Sequence, residues 1–387
     1  GEYYFKIVLY HNNTYNYTVY SDLNSLSFDH KPTLKKATLK EATYTGTIES
    51  TTNSLIYNNL NANLTIKEAI LNLNKSGSAI VNDGIVSTLS NVSINLNASG
   101  NGIYNGYYAD IKDGGATINA SNASIGSYGI YNLSKIDNGF SGYIFNLKYS
   151  DYHPSYGIYS TGKEINVKNI TVNDGILYIA QDSKINFENS KIKSRLYSYR
   201  NENIKISDSV ISVYDDIRMS NNSDLTFENS IVNGSINNYS NLYLKNSIVN
   251  GRITGGTNDA SSNTVVIDNS NVAVSGSSYG WYMVDVSNVI IKGNSALNST
   301  GYGSINANNV TIGEKDGIVN SEYPKINVKN YSSGYEFIGI TAKRLSMYDG
   351  TITARKNNSI KSGINDIEDD YEINITDSVD ESNNNFE

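Results

Sequence analysis

The sequence has no cysteine among its 387 residues, 3 prolines, 3 histidines, 3 methionines and a single tryptophan. Without cysteine there is no disulfide framework, no thiolate metal site and no thiol nucleophile. His11, His30 and His153 stand at no suggestive spacing from a Ser or Asp, so a Ser-His-Asp triad is unsupported. Zinc and EF-hand spacings are also missing. The acidic run Asn365 to Asp370 reads as a solvated face rather than a calcium loop. Neither a metal nor a cofactor is expected. Basic residues number 30 against 38 acidic ones, a net charge of −8, which argues against a nucleic-acid or anionic-membrane partner. No apolar run approaches the ~20 residues of a membrane span. The opening "GEYYFKIVLY" lacks the basic region and cleavage site of a signal peptide. A signal and an anchor are therefore expected outside this chain.

What is abundant is asparagine, roughly 58 residues and far above ordinary usage, and tyrosine, at 32. Asn suits tight turns because it tolerates the left-handed conformation. Tyr is a strand residue with an apolar body and a polar tip. Many short strands joined by tight turns are expected.

The stretch "LTFENSIVNG" is followed at once by "LYLKNSIVNG". Aligned on the central Asn, further copies appear: "INVKNITV", "INFENSKI", "IKISDSVI" and "VVIDNSNV". The template is apolar-x-apolar-x-Asn-x-x-apolar. Its pivots are Asn169, Asn189, Asp208, Asn229, Asn246 and Asn269, at steps of 20, 19, 21, 17 and 23. Looser copies pivot on Asn91, Asn330 and Asp349, and the pairs Val289/Ile291 and Val310/Ile312 keep the strand without a clear pivot. A second set enters through Gly: "GIYN" at Gly102 and Gly129, "GIYS" at Gly157, "GILY" at Gly175 and "DGIV" at Asp83 and Asp316.

Period-two apolar pairs mean strands with one buried face. A unit of roughly 20 residues is a solenoid repeat and leaves no room for a helix. The expected fold is all-β, a right-handed parallel β-helix with about three short strands per coil. The pivots then stand in file ~4.8 Å apart, where adjacent amides bond along the axis. The boundaries read as residues 1–48, an N-terminal cap or the tail of a preceding domain, with "TLKKATLKEAT" briefly helical in period; 49–378, the β-helix; and 379–387, a disordered tail.

These motifs resemble the pectin-lyase-like, right-handed parallel β-helix superfamily, in which a stacked Asn marks the bend. The "GIYN" copies resemble more closely the β-helical repeat regions of large surface proteins of AT-rich gut Firmicutes. The resemblance covers roughly residues 50 to 355. It implies an extracellular or cell-surface location and a non-catalytic adhesin or stalk, with a polysaccharide-binding or polysaccharide-degrading lyase or hydrolase as the alternative. Fold alone decides neither.

Enzymes of that superfamily work on one outer sheet face. The third strand of each coil is expected to point Leu177, Leu196, Ile217, Ile236, Ile253, Met283 and Ile305 inward. Its outward neighbours include Tyr178, Arg195, Tyr197, Asp216, Arg218, Arg252 and Tyr282, the candidate groove for a host glycan or protein. Asp215 and Asp216 point to opposite faces of a strand, so Asp216 lacks the second carboxylate a glycosidase needs. The cluster of Tyr104, Tyr107, Tyr108, Tyr128, Tyr131, Tyr143, Tyr149, Tyr152, Tyr156 and Tyr159 reads either as an exposed contact surface or as coil-to-coil stacking.

Overall fold

A computed structural model describes residues 7–11, 15–19, 26–27, 38–50, 54–120, 126–134, 136, 140–148, 150–161, 164–179, 184–198, 203–213, 216–219, 224–255, 263–274, 282–299, 303–314, 323–328, 337–354, 358–367 and 371–375. The described elements are all strands, and all but the first two, Ile7–His11 and Tyr15–Val19, stack in parallel as a β-solenoid. The chain divides into two compact units, Gly1–Ile204 and Lys205–Glu387. The pivot Asn330, the copy at Asp316, His30, Asp215, Tyr149 and residues 379–387 lie outside the described residues.

In the first unit Ile7–His11 and Tyr15–Val19 pair antiparallel. Thr38–Ser50 is a strand, not a helix, and pairs in parallel with Ser54–Leu73. The strands ending in "GIYN" stack in register, with Ile80, Ile103, Ile130 and Ile158 in one internal file. The "DGIV" copy at Asp83 does not belong to this set. Its Ile85 opens the following strand and pairs with Asn63 and Asp110. "SAIVN" takes its place, because register puts Ile80 over Ile103 and Asn82 over Asn105.

The pivots are left-handed corners. Asn91, Asn169, Asn189, Asp208, Asn229, Asn246 and Asn269 have φ between 46° and 53°, a region costing most L-residues about 1–2 kcal/mol that Asn and Asp tolerate best. Glu68 does the same at φ 51°, a corner that a search for Asn overlooks. Where the template has no clear pivot, Gly293 (φ 57°) and Gly313 (φ 81°) turn the chain. A Cβ at Gly293 would collide with the Asn269 carboxamide. In the copy read as pivoting on Asp349, the positive φ falls on Gly350.

Along the pivot file, Asn189 Nδ2 donates to Asn169 Oδ1 at 2.6 Å in the first unit. In the second, Asn229 donates to Asp208 and Asn246 to Asn229, both at 3.2 Å. This ladder is exposed. A second lies beneath it in the second unit, made by the serine that follows each of Asp208, Asn229, Asn246 and Asn269. The amide N–H of Ser209, Ser230, Ser247 and Ser270 donates to the Oγ of Ser230, Ser247, Ser270 and Ser295, at 2.9–3.2 Å. Each of those four serines donates its own hydroxyl to the carbonyl two residues back. The Asn-Ser pair thus joins a residue that can turn the corner to one that satisfies the amide the turn leaves inside.

Asparagine also serves on strands, not in turns alone. Asn58, within Ser54–Leu73, and Asn82, Asn105 and Asn132, each the last residue of its strand, are fully buried. They bond head to tail at 2.7–2.8 Å, and Asn132 ends the file on Ser160. Asn72, Asn95, Asn119, Asn146 and Asn173 form a further ladder at 2.6–2.8 Å. In the second unit the last position before the corners at Asn229, Asn246, Asn269 and Gly293 alternates in charge: Glu228 faces Lys245, Lys245 faces Asp268, and Asp268 faces Lys292. Glu228 reaches Lys205 at 2.7 Å and Lys245 at 3.0 Å. Hydrogen bonds from these two ammonium groups, then their charge, lower its pKa to about 2.

Ser230→Ala leaves the Ser209 N–H buried without its acceptor and is expected to cost about 1–3 kcal/mol, read from the urea midpoint. Asn246→Val places a β-branched residue at φ 48° and is expected to cost at least about 1–2 kcal/mol, whereas Asn246→Gly loses less. Because the folded pKa of Glu228 is lowered from 4.5 to about 2, its contribution is complete above pH 4.5. It is lost as pH falls toward 2. Glu228→Gln should therefore flatten the acid limb of a stability–pH curve and leave the rest in place.

Candidate functional site

The outward face of the "GIYN" strands in the first unit carries two columns of tyrosine. In "YGIY" the alternation of burial is broken: Gly129 and Ile130 are both buried, so Tyr128 and Tyr131 both face out. Glycine is required there, since a Cβ at Gly129 would sit 2.5 Å from the Phe145 ring. Register sets Tyr104 beside Tyr131, Tyr131 beside Tyr159, Tyr159 beside Tyr178 and Tyr178 beside Tyr197. Ring centroids in this column lie 5.6, 5.0 and 4.9 Å apart from Tyr104 to Tyr178, with planes within 13° of parallel. Tyr128 and Tyr156 stack in the second column at 5.0 Å, and edge contacts at 5.3–5.6 Å join the columns.

The second column stops at Tyr156, where the register shifts and its neighbour Ile176 turns inward. Below the first column, Val81 separates Tyr104 from Tyr57, whose hydroxyl bonds the Asp83 carboxylate. The rings stack coil to coil, and they do so on an outer face. Tyr143 is instead fully buried against Phe140, while Tyr107, Tyr108 and Tyr152 are 72%, 87% and 91% exposed.

Stacking decides what this surface offers. In the first column Tyr131 and Tyr159 each lie between two stacked rings, so the parts they leave toward solvent are ring edges and hydroxyls. Ring edges carry the positive end of the quadrupole. The platform therefore presents hydrogen-bonding groups rather than flat apolar faces. Burial, then the neighbouring phenols, raises the pKa of Tyr104, Tyr128, Tyr131 and Tyr156, with Tyr159 raised by burial and by Tyr178. At neutral pH these phenols are uncharged.

The residues expected to form a groove fall into two sets. In the first unit Tyr178 and Tyr197 continue the tyrosine column. Arg195 sits beside Ile176 and reaches Asp151 at 3.6 Å. In the second unit Arg218 stands opposite Asn237, in a file that runs on through Thr254, Asp285 and Asn306. Arg252 is half-buried and donates its Nε–H to the Tyr282 carbonyl at 2.9 Å. Burial lowers its pKa, and the charges of Asp285 and Asp216 oppose that. Tyr282 pairs with Gly303. Leu177, Leu196, Ile217, Ile236, Ile253, Met283 and Ile305 are all buried, but it is Val284 that continues the file of Ile253 and Ile305. Asp285 thus joins the outer face beside Arg252, a neighbour hidden from sequence reading by that one-residue offset.

Among the described residues, no group of three or more His, Cys, Asp or Glu is placed to hold a metal ion. No described helix is long and apolar enough to cross a membrane. No family model, curated protein or solved structure matches the chain.

The tyrosine face should titrate late. A spectrophotometric titration is expected to show phenols ionising above 10, the ordinary value. Tyr159→Phe should bring Tyr128 and Tyr131 down, since the Tyr159 phenol helps to raise both. With folded values raised, the stability these phenols contribute is complete below pH 10 and lost as pH rises through their folded values.

Proposed function

We propose that this chain is a non-catalytic, extracellular surface domain of a bacterium, of adhesin or stalk type, which presents its tyrosine-faced sheet to a host glycan or protein. The observation that carries this reading is the two-column platform of Tyr104, Tyr131, Tyr159 and Tyr178 beside Tyr128 and Tyr156. A stack inside a core would serve packing alone. This one lies on an outer face, uncharged and rimmed by hydroxyls, as a partner rich in hydroxyl or amide groups requires. The solenoid supplies rigidity, since each coil is hydrogen-bonded to the next through both backbone and side chains. Such a surface is pre-ordered and loses little side-chain freedom on binding.

A second reading, binding or cleavage of an acidic polysaccharide, is favoured by Arg252, where a half-buried guanidinium lies within the fields of Asp216 and Asp285. An Arg fork bonds a carboxylate in two places.

A glycan-array screen on wild type, a Tyr128→Ala/Tyr159→Ala variant and an Arg218→Ala/Arg252→Ala variant separates the two. Binding lost at least tenfold in the tyrosine variant and kept in the arginine variant is the expected result. The reverse pattern, or release of reducing ends or unsaturated products from an acidic polysaccharide, would overturn the non-catalytic reading.

A further inference from the structure

The tyrosine columns also hold one-electron donors in pairs on an outer face. There is no cysteine to oxidise first, and Met219, Met283 and Met347 are each buried to within 3% of full burial. Cysteine and methionine, the usual first targets of peroxide, are therefore absent or shielded. Among the described residues tyrosine is left, on an outer face, with Tyr131 and Tyr159 5.0 Å apart at 13° and Tyr128 and Tyr156 5.0 Å apart at 8°.

We propose that this face is an oxidative modification site, at which peroxide couples tyrosines of successive coils into dityrosine, Tyr131 to Tyr159 and Tyr128 to Tyr156. Each phenol gives up one electron and one proton, and the peroxide that takes two of each is reduced to two waters. The unpaired spin of a phenoxyl rests partly on the ring carbons ortho to oxygen. Two such carbons on adjacent rings form the new carbon–carbon bond. The hydrogen on each then passes through water to its phenol oxygen and restores the aromatic ring. The pair is joined with a net loss of two hydrogens. The strand ladder already holds the rings in contact, so no encounter is needed. The product is a covalent rung between coils in a chain that has no disulfide.

Dilute folded protein treated with hydrogen peroxide and a haem peroxidase, then cut with trypsin, tests this. Lys135 and Lys148 lie between the partners, so a coupled pair appears as two tryptic peptides joined with the loss of two hydrogens. The expected result is a joined product carrying Tyr131 with Tyr159 or Tyr128 with Tyr156. Its yield should fall at least tenfold in urea-unfolded chain. It should also fall at least tenfold in a Tyr128→Phe/Tyr131→Phe variant, which keeps both rings but not their phenols, its fold checked by circular dichroism. Unchanged yield in either case overturns the proposal. So does coupling only between molecules through the exposed Tyr107, Tyr108 and Tyr152, or ring hydroxylation with no joined peptide.

Discussion

Each coil lies one strand spacing, ~4.8 Å, from the next, so a side chain that can bond a copy of itself finds its partner at every level. This translation governs the rest of the structure. A carboxamide both donates and accepts, and so can repeat without limit. A hydroxyl can do the same if it accepts from one coil and donates within its own. A phenyl ring repeats by stacking. Asparagine, serine and tyrosine, the three residues that mark this chain, are those that the translation rewards.

The same rule explains how polar groups come to be buried. An amide in an apolar core costs several kcal/mol, of order 2–7, when unpaired. Asn82 and Asn105 are fully buried, and each sits between neighbours that accept its Nδ2 and donate to its Oδ1. Charges obey it in alternation, because like charges one coil apart would repel; hence Glu228, Lys245, Asp268 and Lys292 in sequence. A surface generated this way is a set of straight files. What the protein can recognise is set by which residue type fills each file.

The repeat was legible because its spacing carries the physics. Apolar pairs at period two before a fixed Asn name both the strand and the corner, and every described pivot of the six-member series has the left-handed φ. The corners at Glu68, Gly293 and Gly313 escaped, since the backbone selects a conformation, and several residue types can adopt it at some cost. The serine ladder escaped as well. Ser230 and Ser247 stand beside their pivots in plain view, but that a hydroxyl faces inward to meet the next coil's amide depends on the corner's geometry.

By itself, the sequence determined a cysteine-free, all-β solenoid with Asn corners, and it placed tyrosine at the outward positions of the third strand. Local periodicity and corner chemistry suffice for that, because they are repeated coil after coil. Only the tertiary structure decided register, and register turns positions into a surface. It set Tyr131 over Tyr104 and under Tyr159, ended the second column at Ile176, and put Val284 rather than Met283 in the internal file of Ile253, which brings Asp285 to the outer face. A one-residue offset reverses the side a residue faces. That offset is settled by how neighbouring coils pack, which lies in no single repeat.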